Sequence, residues 1–246
     1  MQTRHRLDLP LIDTPNSVEM PEEKRRAFDE GCVAAAREVG GLFLADGDIL
    51  RAWPYYRAVG ESAPVAEAIE NIDHEDVNDA ILEIAFYERV HPRKGFELIL
   101  EKHGTCRAIT TFGQYPTSEG RLESAQLLVR TLHSELTANI KRAIEKREGQ
   151  APETESASEL IAGRDWLFGE YDYYVDTSHV GSVLTYSLQL DDPKSLSLAV
   201  GLTEYGQRLS SAFQYAGQPP FENLFADHGI YGTDILVFRL IEGVTD

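Results

Sequence analysis

The sequence has few cysteines and no long apolar run, and each of these shortages excludes a class of protein. Only two cysteines occur in 246 residues, Cys32 and Cys106, and they form no Cys-x-x-Cys pair. A zinc ribbon and a dithiol redox motif are therefore excluded, and a reducing, cytoplasmic setting is favoured. No run approaches the roughly 18 apolar residues of a membrane span, and the first ten residues contain no apolar signal core.

Positive charge is also scarce. Lys and Arg number 23 against 41 Asp and Glu, which gives a formal net charge of -18. Nucleic acids and anionic membrane surfaces are bound by clustered Lys and Arg, so neither is expected as a partner. The acidity favours solubility, and it also suits a protein partner that exposes Lys and Arg. The Walker, Gly-x-Gly-x-x-Gly, Gly-x-Ser-x-Gly and His-Glu-x-x-His patterns are all missing.

Helical periodicity is the strongest positive signal in the chain, and strand-like stretches are nearly absent. The longest periodic segment, residues 122–148, repeats apolar residues on one face and is expected to end at Gly149. Asp176-Thr177-Ser178 is expected to cap a helix over residues 179–190, and Asp191-Asp192-Pro193 is expected to cap the next one. Residues 105–115 are rich in β-branched side chains but have no strand to pair with, so a short buried helix is expected there.

These segments predict an all-α fold, built as an array of antiparallel helical hairpins of the α-solenoid kind. Residues 1–20 contain prolines and are expected to be irregular, and residues 21–246 are expected to form a single all-helical domain. The polar stretch 149–158 is the best candidate for a sub-boundary. A turn at residues 217–220 is expected to start the last helix.

The stretch 36–64 predicts the clearest helical hairpin. Gly47 is placed to adopt a left-handed conformation between two helices, and Asp48 is placed to cap the second one. Gly40 on the first helix and Ala52 on the second are small enough to let the two backbones approach closely. Such a pair cannot bury its apolar faces alone, so further helices are expected to pack against it.

This hairpin resembles the tetratricopeptide repeat, whose pattern is Trp-x2-Leu-Gly-x2-Tyr, then Ala-x3-Phe, then Pro. The positions that match by identity or by residue type are Val39, Gly40, Phe43, Ala52, Tyr56 and Pro64. The resemblance covers one repeat, and it departs from the pattern at Ala36, which replaces Trp, and at Pro54, which should kink the second helix. It implies a TPR-like superhelix that binds a peptide or protein partner on its concave face.

The segment after residue 158 is rich in aromatic residues, which could line a groove for a ligand or a partner. The candidate binding residues are Trp166, Tyr171, Tyr173 and Tyr174. The alternative is ordinary helix packing. The tyrosine hydroxyls cannot all be buried without partners, so some of them are expected to reach a groove or solvent.

A metal-dependent enzyme is the alternative function. Two carboxylate-x-x-His steps, Glu88–His91 and Asp176–His179, resemble those of carboxylate-bridged di-iron proteins. A mononuclear iron or zinc site could instead be drawn from His133, Asp176, His179 and His228. Helix caps and surface pairs explain the same residues, because His91 precedes Pro92 and Asp176 is placed as an N-cap. A structural subunit of a larger assembly is a third reading, and the residues give no oligomeric state.

Overall fold

The structure is a computed structural model that describes residues 2–7, 21–211, 213, 231 and 238. All of the extended regular structure in these residues is helical and none of it is a strand, which confirms the all-α class. The chain divides into two compact units, Met1–Gly95 and Phe96–Asp246, which we describe separately. The single domain expected over residues 21–246 stays a prediction, and the last helix expected after residue 217 falls mostly outside the described residues.

The first unit begins with five helices. They are α1 (Gln2–Arg6), α2 (Glu22–Ala45), α3 (Ile49–Ala58), α4 (Ala63–Glu70) and α5 (Asp79–Leu82). A 3₁₀ turn (His74–Asp76) precedes α5 and one π-helical turn (Glu83–Tyr87) follows it. α1 lies where irregular structure was expected, and its Thr3 side chain packs into the space that Gly31 of α2 leaves open.

α2 and α3 form the expected hairpin. Gly47 has φ +76° between them, and the Asp48 carboxylate accepts a hydrogen bond from the Arg51 backbone N–H at 3.0 Å. Both local predictions are thereby confirmed. The helices approach closely at Gly40, where an added Cβ would lie 2.8 Å from Cε2 of Tyr56. A small residue is therefore required at this crossing.

The core of the first unit collects the apolar faces of α3, α4, α5 and the π-helical turn. Its buried members are Ile49, Ala52, Tyr56, Val65, Ile69, Ile81, Ile84, Ala85 and Val90. Pro54 lies inside α3, which nevertheless continues to Ala58. Ala52 and Tyr56 lie one turn apart on α3 and are both buried, so the face that they share packs into the core.

The second unit contains the rest of α6 (Pro92–Phe112), a helix that begins before the unit boundary. Gly104 interrupts α6 with φ 76° and ψ 178°, and the chain is helical again from there to Phe112. The helix expected within residues 105–115 is thus confirmed over its first part. A lone segment of β-branched residues is helical here because it has no neighbouring strand with which to pair.

The remaining helices of this unit are α7 (Arg121–Glu148), α8 (Ala157–Ile161), α9 (Thr177–Ser187) and α10 (Pro193–Arg208). Gly149 ends α7 with φ +84°, and the carboxylates of Asp176 and Asp192 cap α9 and α10, as expected. α10 packs against α7, α8 and α9, and α7 packs against α8 and α9. These mutual contacts are those of a helical bundle.

The stretch 149–158, expected as a sub-boundary, joins α7 to α8 within the second unit. No helix in the described part of the chain combines the length and the apolar character needed to cross a membrane.

Candidate functional site

A surface groove of about 610 Å³ lies in the first unit, and we call it the acidic groove. One side is the turn between α2 and α3, and the other is the segment from α4 to α5. Its apolar lining consists of Leu44, Ile49, Leu50, Ala68, Ile72 and Ile81. Its polar lining consists of Asp46, Gly47, Asp48, Asn71, Asp73, Asp76 and Asn78. No basic residue lines it, so the groove carries one sign of charge.

Three of the four aspartates have unused carboxylates. Asp48 is occupied, because it caps α3 and lies 3.4 Å from Nε of Arg51. Asp46, Asp73 and Asp76 are exposed, and within the described residues their side chains form no ion pair. An exposed carboxylate without a partner keeps its hydration, and it can exchange that hydration for a cation at little cost.

The floor of the acidic groove is apolar. Ile49 and Ile81 are 5% and 3% exposed and belong to the core, whereas Leu50 is 40% exposed at the groove surface. A Lys or Arg side chain has an aliphatic stem and a charged head. The groove offers a surface for both parts, since Leu50 and the carboxylates of Asp73 and Asp76 all line it.

Sequence reasoning missed this groove. The sequence contains two short acidic stretches, Asp46–Asp48 and Asp73–Asp76. Each of them, taken alone, is typical of a helix cap or of a polar connection between helices. Only the packing of α3 and α4 brings the two turns to one groove. The predicted binding role was placed instead on the aromatic segment of the second unit.

In that segment the four predicted aromatic residues take two different roles. Tyr171 and Tyr173 are 73% and 56% exposed, as expected for some of the tyrosines. Trp166 is half-buried, and the Arg147 guanidinium lies 4.4 Å from its ring centroid. Tyr174 is half-buried too. Tyr171 and Tyr173 therefore expose their rings to solvent, whereas Trp166 and Tyr174 are partly covered, and the binding role of all four stays a prediction.

Residues 168–175, which we call the tyrosine loop, are fixed to the bundle by hydrogen bonds. The backbone N–H of Tyr174 donates to the Tyr205 hydroxyl at 2.8 Å, and the Asn139 amide donates to the Tyr174 carbonyl. The Ser210 hydroxyl donates to the Glu170 carbonyl at 2.8 Å. Burial raises the pKa of Tyr205 to about 12, so its hydroxyl stays neutral and can anchor the loop at any physiological pH.

Three of the four predicted metal ligands, His133, Asp176 and His179, lie within the described residues. His133 is buried on α7, with Nε2 3.4 Å from the position of a Cβ on Gly201, and this burial lowers its pKa. Asp176 accepts hydrogen bonds from the hydroxyl and the N–H of Ser178, and the hydroxyl bond holds the pKa of the Asp176 carboxyl below its usual value.

No group of three or more His, Cys, Asp or Glu side chains in the described ranges could hold a metal ion. His133, Asp176 and His179 therefore do not form such a group by themselves. His228 lies outside the described residues, so the four-residue set stays a prediction. In the second carboxylate-x-x-His step, Asp176 is the N-cap of α9 and His179 lies in the first turn of that helix.

The first step, Glu88–His91, does not share one helical turn. The π-helical turn ends before Glu88, and Arg89 follows with φ +64°, so the chain leaves the helix between the two residues. The alternative given for this pair, a helix that is interrupted before Pro92, is what the structure shows.

Each member of that step has its own partners. The Glu88 carboxylate accepts a hydrogen bond from Nε1 of Trp53 at 2.9 Å and lies 2.8 Å from Arg57. His91 lies 2.8 Å from the Glu70 carboxylate through Nε2. These pairs tie α3 and α4 to the segment before α6, so the observed contacts are structural.

Comparison with known proteins found no family model, no curated protein and no solved structure that matches this chain.

Proposed function

We propose that this chain is a helical-hairpin interaction module that binds a peptide or protein partner in the acidic groove of its first unit. The observation that carries the proposal is the combination of an exposed apolar surface at Leu50 with the unpaired carboxylates of Asp46, Asp73 and Asp76. Binding grooves have this composition, with an apolar floor and a few polar groups that fix the orientation of the ligand.

The partner is a segment that carries Lys or Arg. Four aspartates and no base line the groove, and the whole chain has a net charge of -18. Complementary charge raises the association rate and discriminates against acidic partners. Nucleic acids and anionic membranes are disfavoured for the same reason.

The tetratricopeptide-like part of the proposal rests on the α2–α3 hairpin. Its turn at Gly47 and its close approach at Gly40 support a repeat-like pair. The stacking of further hairpins into a superhelix is proposed for the first unit only, because the second unit has the mutual contacts of a bundle. A cytoplasmic location belongs to the same proposal and is supported by two exposed free cysteines, Cys32 and Cys106.

The metal-dependent enzyme with iron or zinc is kept as the alternative prediction. No contact in the described part of the chain favours it over the interaction module, and it depends on where His228 lies. Metal analysis of protein purified without a histidine tag tests it directly. Stoichiometric metal that is lost in His179→Ala would favour the enzyme.

The proposed function is tested by the affinity of a fluorescent oligolysine peptide for the full chain. We expect the double variant Asp73→Asn/Asp76→Asn to bind about fivefold more weakly, since two exposed ion pairs contribute about 0.5 kcal/mol each. The difference should shrink at high salt.

The matched control is Glu67→Gln/Glu75→Gln. This control also removes two negative charges, one from α4 and one from the 3₁₀ turn that contains Asp76, but neither residue lines the groove. The control should bind like the unaltered chain. Equal weakening by both double variants would mean that the peptide responds only to net charge, and the groove would be abandoned as the binding site.

A further inference from the structure

The tyrosine loop presents an aromatic surface that the bundle does not use. Tyr171, at 73% exposure, is the most exposed of the large apolar side chains in the described residues, and Tyr173 is 56% exposed. Burying large apolar surface is favourable, so a pair of exposed rings on one short loop is a candidate contact surface.

The loop is already ordered before any partner arrives. Tyr174 and Glu170 are held through their backbone groups by Tyr205, Asn139 and Ser210. The Tyr173 ring also rests edge-on against Phe213 with the centroids 5.2 Å apart. A rigid loop with rigid aromatic side chains loses little conformational entropy on binding, which is how antibody loops use tyrosine.

The neighbouring aromatic rings show which chemistry this segment favours. The Arg147 guanidinium lies 4.4 Å from the Trp166 ring and the Arg208 guanidinium lies 4.6 Å from the Phe168 ring. Among the described residues no cation stacks on the Tyr171 ring. Two aromatic rings of the segment thus already bind arginine, while the most exposed one is vacant.

The two residues next to Tyr171 in the chain are both acidic. Glu170 and Asp172 are exposed neighbours of Tyr171. One oxygen of Asp172 accepts a hydrogen bond from the Gly169 backbone N–H at 3.1 Å, which ties this carboxylate to the backbone of the tyrosine loop. The Glu170 carboxylate forms no ion pair within the described residues. The negative charge of these two neighbours favours a cation at Tyr171.

We propose that the tyrosine loop is a second docking surface, which takes an arginine side chain of a protein partner on the exposed Tyr171 ring, whose chain neighbours Glu170 and Asp172 are acidic. Arginine fits better than lysine, because its planar guanidinium stacks on an aromatic face while its N–H groups reach carboxylates. The inference goes beyond the acidic groove and uses no residue of the first unit.

The test compares short oligoarginine and oligolysine peptides of equal length in the Asp73→Asn/Asp76→Asn background, in which binding at the groove is weakened about fivefold. We expect the arginine peptide to bind about threefold tighter than the lysine peptide, as exposed cation–π contacts allow. Tyr171→Ser should abolish this preference, and Tyr171→Phe, which keeps the ring, should retain it.

Leu188→Ser is the matched control, because it removes another exposed apolar side chain of the second unit, 46% exposed on the surface after α9. It should leave the arginine preference intact. Equal binding of the two peptides, or a preference that survives Tyr171→Ser, would overturn the proposal whatever happens at the groove. Self-association of the unaltered chain that Tyr171→Ser abolishes would also overturn it, since the occupant would be a second copy of this chain.

Discussion

Replacing Gly40 by alanine should destabilise the first unit, because no space exists for a methyl group beneath Tyr56. The added Cβ would lie 2.8 Å from Cε2 of Tyr56, 3.0 Å from Cδ2 and 3.3 Å from Cζ. These separations are well below the roughly 3.5–4.0 Å at which two carbon atoms pack favourably. Tyr56 is only 6% exposed and belongs to the core, so its ring cannot simply swing into solvent.

The size of the stability loss in Gly40→Ala follows from two opposing effects. Overpacking of a well-packed site costs about 1–3 kcal/mol, and replacing glycine inside a helix by alanine returns about 1 kcal/mol. Gly41 is the natural control, because it lies next in the same helix and its added Cβ would be 3.6 Å from the Tyr56 hydroxyl, an ordinary contact. The gain from replacing glycine by alanine inside a helix is the same for both substitutions. Gly40→Ala should therefore be less stable than Gly41→Ala by about 1–3 kcal/mol.

Urea unfolding followed by far-ultraviolet circular dichroism measures this difference. A second pair of variants in a Tyr56→Leu background should show a smaller difference, because the shortened side chain removes the clash. If Gly40→Ala is as stable as Gly41→Ala in the unaltered background, α2 and α3 do not cross closely at Gly40 and the hairpin geometry is refuted.

Two further predictions concern the second unit. Gly104 has φ 76° and ψ 178°, a conformation that only glycine adopts easily, so Gly104→Ala should cost about 1–3 kcal/mol in urea unfolding although its Cβ meets no atom. Gly181 also has free space for a Cβ but lies inside α9, so Gly181→Ala should instead raise the free energy of unfolding by about 1 kcal/mol. A similar effect of both substitutions would contradict the left-handed conformation of Gly104. Burial lowers the pKa of His133 in the folded chain, whereas in the unfolded chain the pKa is near 6.5. Between these two values the imidazole is protonated in the unfolded chain and neutral in the folded chain. Stability is therefore full above about pH 6.5 and falls as the pH drops through that value, and His133→Gln should remove this part of the pH dependence of the unfolding midpoint.

The parts of the fold that the sequence predicted are those set by a residue and its immediate neighbours. Gly47 and Gly149 take left-handed conformations, and Asp48, Asp176 and Asp192 cap helices through bonds that span only two or three residues. Such bonds depend on local chain geometry, so the sequence contains all the information they need.

The binding surfaces depended on contacts that are distant in sequence. Asp46 and Asp73 reach one groove only because α3 and α4 pack in a particular way, and neither turn reveals this alone. Aromatic composition correctly indicated that some tyrosines reach solvent. Which ones do so was decided by Tyr205 and Asn139, which fix Tyr174 and leave Tyr171 outside.

The interruption before α6 shows the same limit. The Glu88–His91 spacing suited a helix, and His91–Pro92 warned of a break. The position of the π-helical turn and the left-handed Arg89 were not readable, because they follow from how the core residues Ile84 and Ala85 are buried. Spacing alone therefore could not decide whether the two side chains meet.

The most direct test of the central claim is to locate the bound peptide on the full chain. When oligolysine is titrated into the full chain and backbone amides are followed by NMR, we expect the largest chemical-shift changes on the two walls of the acidic groove. These walls are the segments Asp46–Leu50 and Ile72–Asp76. Shifts at those positions that need about fivefold more peptide for saturation in Asp73→Asn/Asp76→Asn, but the unaltered amount in Glu67→Gln/Glu75→Gln, would establish the site. Shifts spread evenly over acidic surface residues, with none concentrated in the groove, would contradict it.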